Sequence, residues 1–174
     1  GMDGLVIIGD TTNVAVYTPS ATVTGDGTVS VDGVDIVFAG LEPVDITGMA
    51  EAIIVLPGAD DVLNVSNGTD YFFGGVNDAL IVSGTSNGVP IEMAALWNNT
   101  TVRIDTTTNI DGNDTITINS ANNGHLNDNL IITTGAGADS INVTGAVVVT
   151  GGLNFQSGSV HFQSTVAVGS GGLD

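Results

Sequence analysis

Gly58-Ala-Asp60-Asp-Val62, Gly112-Asn-Asp114-Thr-Ile116 and Gly137-Ala-Asp139-Ser-Ile141 repeat one phrase: glycine, any residue, aspartate, any residue, aliphatic. Looser copies at Asn77-Asp78-Ala-Leu80-Ile-Val82 and Asn127-Asp128-Asn-Leu130-Ile-Ile132 keep the aspartate and the aliphatics. Gly, Asn and Asp supply turns, and the alternating residues after them supply strands, so each phrase reads as a turn feeding a short strand. Turn and strand units that recur along a chain are how a solenoid is written. The five aspartates are 18, 36, 14 and 11 residues apart, which predicts loops of unequal length between the units. The expected fold is all-β, a parallel β-helix (β-solenoid) with an N-terminal β-hairpin region.

The flanking segments agree with that fold. Thr28-Val-Ser-Val31 and Val34-Asp-Ile-Val-Phe38 flank Asp32-Gly33, a favoured type I′ pair, and predict a hairpin. Leu5–Ile8, Asn13–Tyr17, Ile53–Leu56 and Thr101–Ile104 read as strands. Met49–Ala52 is expected to form a helical turn, and Ile91–Trp97 a helix or a loop plug. Near the C-terminus Leu153-Asn-Phe155, Val160-His-Phe162 and Val166-Ala-Val168 are short alternating pieces, too short to be stable unless stacked. The organisation expected is a strand-rich segment at 1–50 capping repeats at 51–174.

Composition narrows the function. With 42% hydrophobic residues but only 5% aromatics, the core must be built from Val, Ile, Leu and Ala. One Lys or Arg stands against 19 Asp and Glu, a net charge of -18. Nucleic acid is excluded because phosphate recognition needs a cationic footprint. Anionic membrane surfaces are disfavoured for the same reason, and no apolar run is long enough to insert. The absence of cysteine removes disulfides and thiolate chemistry. So acidic a chain points to Ca²⁺ binding, to salty surroundings, or to solubility alone.

The phrase resembles half of the hemolysin-type (repeats-in-toxin) calcium motif, Gly-Gly-x-Gly-x-Asp-x-U-x, most nearly at Thr134-Gly-Ala-Gly-Ala-Asp139-Ser-Ile141-Asn. Together with Phe38-Ala-Gly-Leu-Glu-Pro-Val44, this texture is similar to modules of very large exported bacterial proteins. In those, such phrases alternate with filamentous-haemagglutinin-like β-helix. The resemblance implies a secreted or cell-surface location, an adhesive or structural role, and Ca²⁺ as a candidate cofactor. The candidate ligands are Asp60, Asp61, Asp78, Asp111, Asp114, Asp128 and Asp139, with Asp60–Asp78 and Asp114–Asp128 as the expected pairs. A hard cation takes six to eight oxygens, so ligands from neighbouring turns must converge. The competing use of each aspartate is to close its own turn by a hydrogen bond.

Catalysis lacks its parts. Arg103 is the one Lys or Arg side chain, expected outward and paired with Asp105 or Asp111. His125 and His161 are isolated. No enzyme is expected. The alternative is a carbohydrate-binding or carbohydrate-modifying β-helix using Tyr71 and Trp97. Gly1-Met2 reads as a cloning remnant, so the chain is expected to belong to a longer polypeptide whose targeting signal lies elsewhere. Its partner would be an unidentified surface component or polysaccharide.

Overall fold

Successive side chains on an extended backbone point to opposite faces, so runs that alternate apolar and polar residues become half-buried strands. The computed structural model describes residues 3–119, 129–149, 151–169 and 172–173, and among these there is no helix, hence none able to cross a membrane. The N-terminal strands are β1 (Leu5–Ile8), β2 (Val14–Pro19), β3 (Gly27–Val31) and β4 (Val34–Phe38). Next come β5 (Val44–Thr47), β6 (Glu51–Val55), β7 (Asp61–Thr69), β8 (Asp78–Ser86) and β9 (Val89–Pro90). They are followed by β10 (Ala94–Trp97), β11 (Thr101–Asp105), β12 (Thr115–Ile118), β13 (Asn129–Thr133) and β14 (Ser140–Val143). The last are β15 (Val147–Val149), β16 (Leu153–Gln156), β17 (Val160–Phe162) and β18 (Val166–Val168).

Two mixed sheets take up most of these strands. The first runs β1-β5-β10-β8-β7-β12-β14-β17, with β9 on β8, and the second β16-β13-β11-β6-β2-β3-β4; β15 and β18 form a separate parallel pair. The chain visits them in a repeated order. β5, β6, β7 and then β10, β11, β12 go first, second, first; β13, β14, β15 and then β16, β17, β18 go second, first, third.

Corresponding strands of successive passes mostly pair parallel and in register. Ile54, Ile104, Ile132 and Phe155 stand side by side across β6, β11, β13 and β16. Leu63, Ile116, Ile141 and Val160 do the same across β7, β12, β14 and β17. A one-residue slip would turn each whole file to solvent, so burial itself holds the register. The files merge into one cluster from Ile7 to Leu153. Each fully buried aliphatic contributes roughly 1.5–3 kcal/mol before entropy is counted.

Asp32 and Gly33 have φ of 48° and 83°, with Val31 opposite Val34, so the predicted hairpin is β3–β4. Its neighbours differ from expectation. Met49–Ala52 is not helical: Gly48 turns the chain at φ 72°, Met49 is buried, and Ala52 already lies in β6. Ile91–Trp97 ends in strand β10 because parallel pairing with β5 and antiparallel pairing with β8 outweigh its helical propensity. β1 pairs with β5 and β2 with β6, so both sheets run across position 50. The longest antiparallel ladder joins β7 to β8, from Asp61 opposite Ser86 to Thr69 opposite Asp78.

Candidate functional site

The aspartate phrases meet where the chain enters β7, β12 and β14. Register places Val62 beside Thr115 and Thr115 beside Ser140, so the residues in line are Asp61, Asp114 and Asp139. The sequence phrase aligned Asp60 instead, one residue too early. The strand pleat explains the true alignment: Asp61 and Leu63 face inward and Val62 outward.

Asp114 and Asp139 each satisfy the backbone of the pass before them. Asp114 Oδ1 accepts from the Asp61 amide at 2.9 Å, and Asp139 Oδ1 from the Asp114 amide at 3.0 Å. The Thr106 hydroxyl donates to the other Asp114 oxygen. A second, exposed file runs the opposite way: Asp60 Oδ1 accepts from the Asn113 amide at 3.0 Å, and Asn113 Oδ1 from the Ala138 amide at 2.9 Å. Asp111 Oδ2 accepts from the Ala136 amide at 3.0 Å. The glycines follow from the same stacking. A Cβ at Gly112 would overlap the Ala59 carbonyl oxygen, and one at Gly137 the Gly112 carbonyl oxygen.

Asp61 heads the file. It is fully buried and neither oxygen has a hydrogen-bond partner. The Asn87 amide donates to the Asp60 carbonyl, while the Ser86 hydroxyl accepts the Gly58 amide and keeps its own proton beside Asp61. Burial pushes the Asp61 carboxyl up to about 6, partly offset by the nearby Ser86 hydroxyl. Burial also raises Asp114, against the pull of its Thr106 and Asp61 donors.

The expected Asp60–Asp78 pair is not brought together. Asp78 starts β8 opposite Thr69, eight residues along β7 from Asp61 and about 26 Å away at the rise of a strand. Asp128, like His125, lies outside the described residues. Among the described residues no group of three or more His, Asp or Glu side chains is arranged to hold a metal ion. In the buried file Asp114 uses both oxygens and Asp139 one of its two on protein donors, which leaves both Asp61 oxygens and Asp139 Oδ2 without a hydrogen-bond partner. Arg103 does face outward, but it pairs with Glu51 on the adjoining strand at 2.8 Å rather than with Asp105 or Asp111. Asp105 instead caps the turn after β11 by accepting from the Thr107 and Thr108 amides.

A second cluster was hidden in the sequence. Asp45, buried on β5, accepts the Tyr71 and Phe72 amides at 3.0 and 3.1 Å. Asp70 accepts those of Phe73, Gly75 and Asn77, which outweigh burial and hold its carboxyl below the usual range. Residues 71–77 are thereby strapped over the outer face of the first sheet. Tyr71 and Trp97 both pack there on Ala79, Ile81 and Ala95. The Tyr71 hydroxyl points at Met93 Sδ, 2.9 Å away, and Phe73 meets Trp97 edge-on at 5.5 Å. An aspartate between Val44 and Ile46 in a buried strand was the one available signal for this strap.

Comparison with family models, curated proteins and solved structures finds no match to this chain.

Proposed function

We propose that this chain is a non-catalytic structural or adhesive β-solenoid segment of a bacterial cell-surface or secreted protein. The observation that carries the reading is the parallel, in-register recurrence of β6-β11-β13-β16 and β7-β12-β14-β17, joined by the Asp61–Asp114–Asp139 file. In a stacked architecture each pass stabilises its neighbour, and the product is a stiff acidic body suited to spacing or presentation. The aspartates that suggested chemistry serve mainly as internal braces. Polysaccharide turnover would need a free base and a cation for the substrate, whereas the one arginine is held by Glu51.

Beads carrying the domain are expected to adhere to some members of a panel of polysaccharides and matrix proteins. They should release neither reducing sugar nor unsaturated uronate. Product formation would overturn the reading in favour of a carbohydrate-modifying domain. The carbohydrate-binding reading is favoured by one observation, the shared position of Tyr71 and Trp97. It requires Tyr71→Ala or Trp97→Ala to abolish polysaccharide adhesion while adhesion to proteins persists.

Calcium enters this reading through carboxylates open to solvent, such as Asp60 and Asp111. Millimolar Ca²⁺, Mg²⁺ and Na⁺ at matched ionic strength are expected to raise the melting temperature alike, by screening the -18 charge. A rise specific to Ca²⁺ and reversed by EDTA would instead demonstrate a bound ion.

A further inference from the structure

β4 ends the second sheet, and among the described residues its outer side pairs with no strand. Val34, Ile36 and Val37 are 70%, 38% and 78% exposed, and only Phe38 of this strand is buried. An unpaired edge with β-branched residues open on both faces is a template for another strand, which sheet proteins usually blunt. The residues flanking a two-residue turn form a hydrogen-bonded pair, and such pairs alternate along a hairpin. Val34, Ile36 and Phe38 therefore direct their backbone groups to β3. Asp35 and Val37 present theirs to the outside. Beside this edge, the cross-strand row Thr18, Thr28 and Val37, rimmed by Pro19, Asp26 and Phe38, lines a depression of about 350 Å³.

We infer that β4 is a docking edge for an extended cationic strand of a partner protein, added to the second sheet by backbone pairing. Charge decides the occupant. Asp35 is exposed at the middle of the edge, Asp32 at the turn beside it, and Asp26 lines the depression. A second copy would bring another -18 charge and supply one arginine, already committed to Glu51. Self-pairing centred on Asp35 would set two carboxylates face to face, which cross-strand energetics penalise. A Lys or Arg opposite Asp35, with apolar neighbours over Ile36 and Val37, meets both the charge and the exposed surface.

The test is a titration of ¹⁵N-labelled protein with the peptide acetyl-Lys-Val-Thr-Val-Lys-Val-Lys-amide and with its counterpart carrying Glu for Lys. The basic peptide is expected to give saturable shifts confined to residues 34–38 and the depression, with affinity falling as salt rises. The acidic peptide should give none. Val37→Pro removes an outward N–H without touching the bonds to β3, and should weaken binding about tenfold or more. Asp35→Lys should exchange the preference between the two peptides, and it carries the test alone if the proline variant does not fold. The inference is overturned by shifts elsewhere, by no saturable shifts, or by an unchanged preference in Asp35→Lys. It is equally overturned if the protein alone dimerises through this edge, since the occupant would then be a second copy.

Discussion

Gly112→Ala is expected to destabilise the fold by about 3 kcal/mol, and Gly137→Ala by a similar amount, because the added methyl meets rigid backbone. The Ala59 carbonyl below Gly112, and the Gly112 carbonyl below Gly137, occupy the space a Cβ needs. Neither obstacle can rotate away as a side chain would. The passes must then separate locally, loosening the Asp61–Asp114 and Asp114–Asp139 bonds together. Ala59→Gly is the control: the register puts this residue in line with the two glycines but at the head of the file, and its change should cost under about 1 kcal/mol. Urea unfolding with an unchanged m-value reads both. Equal, small effects at positions 59, 112 and 137 would remove close stacking as the reason for the repeated glycine.

Asp61→Asn should have the opposite sign, stabilising the protein by about 2 kcal/mol at pH 7.5. Burial raises the Asp61 carboxyl to about 6 in the folded protein, against an unfolded value near 3.8. Between these values the native state holds more protons than the unfolded state, so stability falls as pH rises through that window. The penalty is complete above it and absent below it. Asn carries no charge and should reduce this slope to what Asp45, Glu92 and Asp114, also raised by burial, contribute, leaving the variant close to the parent at pH 4. Asp70 and Asp105 act in another range. Their carboxyls are depressed by amide and hydroxyl donors, so their contribution is lost only as pH falls below about 4. A parent protein whose stability is flat between pH 4 and 6, or an Asn variant whose slope is as steep as the parent's, would contradict the buried-carboxylate account.

Most strands could be found from alternation alone, since each presents one face to a core of aliphatics. The hairpin at Asp32-Gly33 was legible because only a few residue pairs tolerate two positive φ angles. The alignment of the aspartates was not. Asp60-Asp61 offers two choices, and Gly58 pointed to the wrong one: position 59, in line with Gly112 and Gly137, is alanine, and Gly58 instead lies close to the Asn87 backbone. Asp78 looked like another copy of the phrase, yet it opens the antiparallel return strand β8. Nothing in Asn67-Gly68-Thr69 announces that β7 continues through them to pair with β8. Ile91–Trp97 illustrates tertiary pairing overriding local preference. Asp45 and Asp70 escaped notice because their partners are backbone amides, which leave no mark in a sequence.

The ion pair between Arg103 and Glu51 has a practical corollary. A protease that cuts after basic residues has one place to act on this chain, the peptide bond between Arg103 and Ile104. That bond lies inside β11, hydrogen-bonded on both sides to β6 and β13, with its arginine held at 2.8 Å. Cleavage must wait until the centre of the second sheet opens. The protein thus carries a single built-in reporter of its own local breathing, and tryptic half-life becomes a clock for the opening of one central strand.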